Sequence, residues 1–162
     1  MSDPVTVVTV ATAVVCALVG GAFFAFSNWV MDALARRPNR EGIAAMQAIN
    51  VTVINPTFMA ALFGVVLPCV GLAVWAVASL GNGAGAGWVL AGSLLYTVGC
   101  AGLTMVANVP LNNELARQDP DDPRAVEVWQ RFLSRWTTWN TARTVAALAA
   151  AALLIIGAIA GR

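Results

Sequence analysis

The sequence predicts an all-α fold: a transmembrane four-helix bundle with cytoplasmic amphipathic helices before spans 2 and 4. Three observations lead there. Apolar residues make up 59% of the 162 residues, charged residues only 10%, and mean hydropathy is +0.77. A soluble domain carries about a quarter charged residues, because its surface must face water. Four apolar runs each approach or exceed the roughly 20 residues with which a helix crosses a hydrocarbon core about 30 Å thick. The polar residues, finally, gather in two long connections and at the span ends beside them. Residues 1–162 read as a single integral membrane domain, with spans at approximately 5–34, 56–80, 88–110 and 139–161.

Each element follows from local chemistry. Span 1 lacks the basic start of a signal sequence and is too long for one. In the connection after it, residues 39–54 place Ile43, Met46, Gln47, Asn50 and Ile54 along one helical face. Asn55 then reads as an N-cap and Pro56 as the first residue of span 2, the alternative being one long kinked helix. Pro68 is expected to bend span 2. The turn LGNGAGAGW, residues 80–88, is uncharged. Span 3 closes on NVPLNNEL, where Pro110 frees the carbonyl of Val106. After the turn RQDPDDPR, a helix starting at Pro123 collects Val126, Trp129, Leu133 and Trp136 on one face. That stripe continues through Asn140 to Arg143 as the chain enters span 4. A shift of 81 residues sets FSNWVMDAL over ANVPLNNEL, which suggests two parallel units, each a span, an amphipathic helix and a second span.

Arginine placement gives the orientation, since the chain has no lysine. Arg36, Arg37 and Arg40 lie in the first long connection, and Arg117, Arg124, Arg131 and Arg135 in the second. Both are therefore expected in the cytoplasm, with both termini outside, in a multi-pass protein of the cell's inner membrane. A net charge of +1 points away from nucleic acid and leaves the lipid bilayer as the partner. The absence of histidine removes His-ligated haem, histidine-rich copper or iron sites, and histidine bases. Cys16, Cys69 and Cys100 stand singly within spans and read as small core or lipid-facing residues. The run AALAAAALLIIGAIAG admits close packing with partners, either in a homo-oligomer or in a larger complex.

Under that topology the polar span ends share one depth. Asn108 and Asn112 are four apart and share a face, and Asn140 and Arg143 approach them from span 4. A charge such as Arg143 inside a span costs about 2.5–3.5 kcal/mol near the centre unless paired, so Asp32, Glu114 and the asparagine carbonyls are its expected partners. Asparagine both donates and accepts, so the cluster can hold a carbonyl or enolate oxygen. The bland reading is that Asn50 and the others are inter-helix glue.

These residues resemble a known family. GGAFFAFSNWVMDAL near the start, INPTFM opening span 2, N-x-P-L-N at Asn108, Pro110, Leu111 and Asn112, and WN-x-x-R at Trp139, Asn140 and Arg143 look like the anthrone-oxygenase-like family of small four-span membrane proteins. The resemblance implies oxidation of a planar anthrone-like phenolic by dioxygen through a stabilised enolate, with no metal or cofactor. Arg143, Asn108, Asn112 and Asn140 would donate to the oxyanion, and Asp32 or Glu114 would be the base. Trp136, Trp139 and Phe26 would stack on the hydrophobic planar substrate, with Asn50 nearby. A carrier of a quinone-like ligand and a structural membrane subunit are the competing readings.

Overall fold

Asn55 separates the first connection from the second span. Its backbone is extended (φ −120°, ψ 155°), and its Oδ1 accepts the Phe58 N–H at 3.0 Å while Pro56 fills the first helical position. Two helices with a cap between them, not one kinked helix, therefore lead into the membrane. The computed structural model describes residues 3–81 and 85–161, so residues 82–84 of the uncharged turn lie outside it. The described residues are helical and contain no strand. Five helices run α1 (Pro4–Ala35), α2 (Asn39–Thr52), α3 (Pro56–Ala78), α4 (Ala86–Ala116) and α5 (Ala125–Ala160). All but α2 are long and apolar enough to cross a membrane, the pattern of a multi-pass membrane protein.

α5 corrects one expectation. No separate amphipathic helix precedes span 4, because α5 runs unbroken for 36 residues from the connection through the span. Its buried stripe passes from Ala125 through Trp129, Phe132, Trp136, Asn140 and Arg143 to Ala147 and Leu154. Steps of three, four and seven keep one face inward along the whole helix. Val126, expected on that face, is exposed, and Phe132 is more deeply buried than the expected Leu133. α2 is a distinct helix that buries Ile43 and Met46, while Ile54 lies past its end and is exposed.

α5 packs against α1 on one side and α4 on the other, and α3 leans mainly on α4. Glycine sets the α4–α5 distance. A Cβ at Gly85 would stand 2.5 Å from the Gly157 carbonyl oxygen, one at Gly92 3.0 Å from the Ala150 oxygen, and one at Gly99 2.9 Å from the Ala146 Cβ. Glycines seven apart present a flat ridge that lets the backbones meet. The small-residue run of span 4 is thus engaged inside the bundle. Cys16, Cys69 and Cys100 are free thiols, fully buried in the same apolar core.

A second core lies at the connection end, built from Met31, Ile43, Met46, Leu115, Trp129 and Phe132. Gln47 ties α2 to the end of α4, its Nε2 donating to the Leu115 and Gln118 carbonyls at 2.9 Å each. The 81-residue spacing recurs here: α1 ends at Ala35 and α4 at Ala116, and Arg40 pairs with Asp121. The halves diverge beyond that point, since Asn55 interrupts one and α5 continues through the other.

Four segments are wound as π-helix: Phe26–Val30, Ala60–Gly64, Leu95–Gly102 and Thr104–Asn108. A π turn shifts the hydrogen-bond ladder by one residue and releases main-chain oxygens to other donors. Pro68 and Pro110 each follow such a segment within four residues, and local rewinding accommodates the donor that proline lacks. Side chains meet several oxygens here. The Tyr96 hydroxyl donates to Leu62 O at 3.1 Å, the Thr104 hydroxyl to Cys100 O at 2.8 Å, and Asn140 Nδ2 to Phe23 O at 2.7 Å.

Candidate functional site

Arg143 projects from the buried stripe of α5 between two of these rewound segments and is only 5% exposed. Its Nε and Nη2 donate to Asn140 Oδ1 at 3.0 and 2.7 Å, and its Nη1 donates to Thr104 Oγ1 at 3.2 Å. The guanidinium carbon lies 3.7 Å above the centre of the Phe23 ring and 5.2 Å from that of Trp136. Ring faces are negative, so both contacts favour the cation. Among the described residues no carboxylate pairs with it. Asp32 bridges Arg36 at 2.8 Å and Glu114 bridges Arg131 at 2.9 Å, with side chains 60% and 47% exposed. The expected ion pair is therefore not formed: both carboxylates sit at the rim, where water and nearer arginines hold them.

Asn140 is fully buried and uses all its hydrogen-bonding capacity. Oδ1 takes the two guanidinium donors, and Nδ2 gives one hydrogen to Phe23 O and one to Ser27 Oγ, each at 2.7 Å. That pattern fixes the amide orientation, because a flipped amide would set N–H against guanidinium. On the other flank, Asn108 Nδ2 donates to Trp136 O at 3.2 Å, while its buried Oδ1 has no partner. Trp136 Nε1 donates to Asn112 Oδ1 at 2.7 Å.

The fold thus brings together Arg143, Asn140, Asn108, Asn112, Trp136 and Phe26. Trp136 is packed on both sides, stacked on Phe132 at 5.8 Å and tilted against Phe26 at 5.8 Å. It forms part of the cluster's wall. Trp139, 38% exposed, faces away from the cluster. Asn50, on the last turns of α2, encloses an unpartnered Nδ2, and no hydrogen bond among the described residues links it to Arg143. Phe23 and Thr104 were missed by sequence reasoning. Thr104 had a signal, standing four residues before Asn108 as Asn108 stands before Asn112. Phe23 offered none among so many apolar neighbours.

Open space adjoins the cluster on the α1–α5 side. A groove of about 570 Å³ runs between the two helices, with Ser27, Asp32, Thr137 and Thr141 on its polar wall and Met31 and Leu133 on its apolar one. Thr141 Oγ1 lies 2.9 Å from both Ser27 Oγ and Thr137 O. The groove therefore touches Asn140 through the Ser27 hydroxyl.

The sequence model described as Anthrone oxygenase matches residues 56–153, more than half of the chain. The chain belongs to the anthrone oxygenase family. Among curated proteins and among solved structures nothing matches it. The segment matched to the anthrone oxygenase family contains Thr104, Asn108, Asn112, Trp136, Asn140 and Arg143. Span 1, with Phe23, Ser27 and Asp32, precedes it.

Proposed function

We propose that this protein is a membrane-embedded oxygenase that converts a planar, anthrone-like phenolic to the corresponding quinone with dioxygen. The observation that carries the reading is Arg143: a buried guanidinium with no carboxylate partner among the described residues, held in place by Asn140, Thr104 and an aromatic face. Such a group is unfavourable as mere glue and well suited to an anion that appears only during reaction.

The chemistry needs few parts. A base removes one proton from the ring methylene, and the electron pair it leaves delocalises onto the carbonyl oxygen as an enolate. The enolate reduces dioxygen, which adds at the same carbon. Loss of water from the hydroperoxide leaves a second carbonyl, so one substrate and one dioxygen give one quinone and one water. In this reading the substrate enters the α1–α5 groove sideways from the bilayer, against Met31 and Leu133. Asp32, on the groove wall, is the base; Glu114 stands on α4, away from it. The connections lie in the cytoplasm, and the oxygen end of the substrate faces the Arg143 cluster.

Purified protein should consume oxygen with 1,8-dihydroxyanthrone well above the protein-free rate and form the anthraquinone in equal amount. Saturable quenching of tryptophan fluorescence without oxygen uptake would replace the enzyme by a carrier of planar ligands.

A further inference from the structure

We propose that the Ser27 hydroxyl is the donor that touches the substrate oxygen, and that Asn140 relays the Arg143 charge to it. This rests on the oxygenase reading for its substrate. The geometry is a single chain. The guanidinium donates twice to Asn140 Oδ1, Asn140 Nδ2 donates to Ser27 Oγ at 2.7 Å, and Ser27 lines the groove. Arg143 itself is not on the groove wall.

Polarity runs one way along this chain. With its acceptor oxygen bound by a cation, the amide becomes a stronger donor, and hydrogen bonds in series reinforce one another at low dielectric. Ser27 Oγ must accept from Asn140, since Nδ2 has only hydrogens to give. The Ser27 hydrogen is consequently directed away from Asn140, toward Thr141 and the groove. Thr141 can satisfy itself at the Thr137 carbonyl, 2.9 Å away, so an oxygen arriving in the groove can take the Ser27 hydrogen without leaving Thr141 unpaired. Negative charge on that oxygen would be met by a hydroxyl polarised from behind by a buried cation. The π-wound turn at Phe26–Val30 carries Ser27 at this register, while Phe23 O, one turn earlier, takes the other Asn140 hydrogen.

The test uses full-length protein in detergent micelles and two readouts. 2-Hydroxyanthraquinone changes colour when its phenol ionises, so the bound dye reports how strongly the site favours an oxyanion. Wild type should hold the dye ionised at lower pH than empty micelles. Ser27→Ala should weaken the ionisation constant of bound dye by about tenfold, and Ser27→Thr should restore it, as expected for loss and return of one oxyanion donor. Asn140→Asp, which turns the relay around by making Ser27 donate inward, should abolish the effect. With 1,8-dihydroxyanthrone, Ser27→Ala should lower kcat about 10²-fold and leave KM within a few-fold. Equal dye ionisation in wild type and Ser27→Ala, or a loss confined to Thr141→Val, overturns the assignment while oxygen uptake still supports the oxygenase. Ser27-dependent ionisation without oxygen uptake upholds the donor and overturns the oxygenase. If wild type favours the oxyanion no more than empty micelles do, the relay is overturned.

Discussion

Replacing Arg143 by Met separates a catalytic cation from a structural one, because the stability and activity effects are measured separately. The substitution removes three hydrogen bonds, two to Asn140 Oδ1 and one to Thr104 Oγ1. Side-chain hydrogen bonds within membranes average about 0.6 kcal/mol, so together they contribute about 2 kcal/mol. The contact with Phe23 at 3.7 Å adds about 1 kcal/mol, and leaving Asn140 Oδ1 unpartnered costs about 1–3 kcal/mol. Against these stands relief from holding a charge within a span, about 2.5–3.5 kcal/mol at the centre. Met has a similar unbranched shape and can fill the space on Phe23. The terms offset only in part, and a net destabilisation between about 0.5 and 3.5 kcal/mol is expected from them. Acting through Asn140 and Ser27, the charge should matter to the transition state about as much as one oxyanion donor, about 10²–10³ in rate or 2.7–4 kcal/mol. Unfolding of the purified protein in mixed micelles of rising dodecyl sulfate content, followed by tryptophan emission, measures the first quantity. Oxygen uptake with 1,8-dihydroxyanthrone measures the second. A variant that unfolds far more easily yet turns over at the wild-type rate per folded molecule would refute the reasoning and make Arg143 a packing device.

Three further outcomes follow from the packing and the surface. Gly85→Ala should destabilise by about 1–3 kcal/mol, because its Cβ meets backbone on α5, whereas Gly21→Ala, with nothing within 4 Å, should be neutral or stabilising in the same unfolding assay. Asn55→Ala should cost about 1 kcal/mol by removing the cap on Phe58 N–H, seen as faster amide exchange at Thr57 and Phe58. Arg124, through side-chain and backbone hydrogen bonds, holds the Asp122 carboxyl below its ordinary value. Their pairing should persist above that lowered value and be lost as pH falls through it, and Arg124→Gln should move the Asp122 carbonyl-carbon titration upward in NMR.

Much of the architecture was legible because the bilayer imposes a coarse rule that composition can satisfy. Four apolar stretches, with arginines in both long connections, leave little choice of fold, and the Asn55–Pro56 pair announced its own cap. Asn108, Asn140 and Arg143 were also visible, because polar groups are rare in apolar runs and their three- and four-residue spacing is easily read. What escaped the sequence depends on helix winding. A reading at regular α-helical pitch cannot see that span 1 rewinds at Phe26–Val30. It therefore missed that Ser27 would meet Asn140 and that Phe23 would lie beneath the guanidinium. The carboxylates misled for a different reason. Asp32 and Glu114 were offered to Arg143 on charge alone, whereas Arg36 and Arg131 reach them at the rim without desolvation.

The distribution of regular and irregular helix has a mechanical logic. α5, the helix that carries Asn140 and Arg143, is regular over all 36 residues, so those two side chains are held in fixed register one turn apart. Its neighbours give way to it. α1 rewinds over Phe26–Val30, where Ser27 accepts from Asn140, and α4 rewinds over Thr104–Asn108, where Thr104 accepts from Arg143 and Asn108 reaches Trp136 O. In an apolar medium every main-chain oxygen must find a donor within the protein. A displaced ladder is thus tolerated only where a side chain supplies what is missing. Asn140 donates to Phe23 O, one turn before the rewound segment, while also holding the guanidinium, which ties this part of α1 to placement of the charge. Shortening Asn140 to Ala should therefore disturb both at once: Phe23 O loses its side-chain donor, Arg143 loses its clamp, and amide exchange should quicken along Phe26–Val30. Exchange in that segment unchanged from wild type would show that the π turn stands without Asn140 and would break the link between winding and charge.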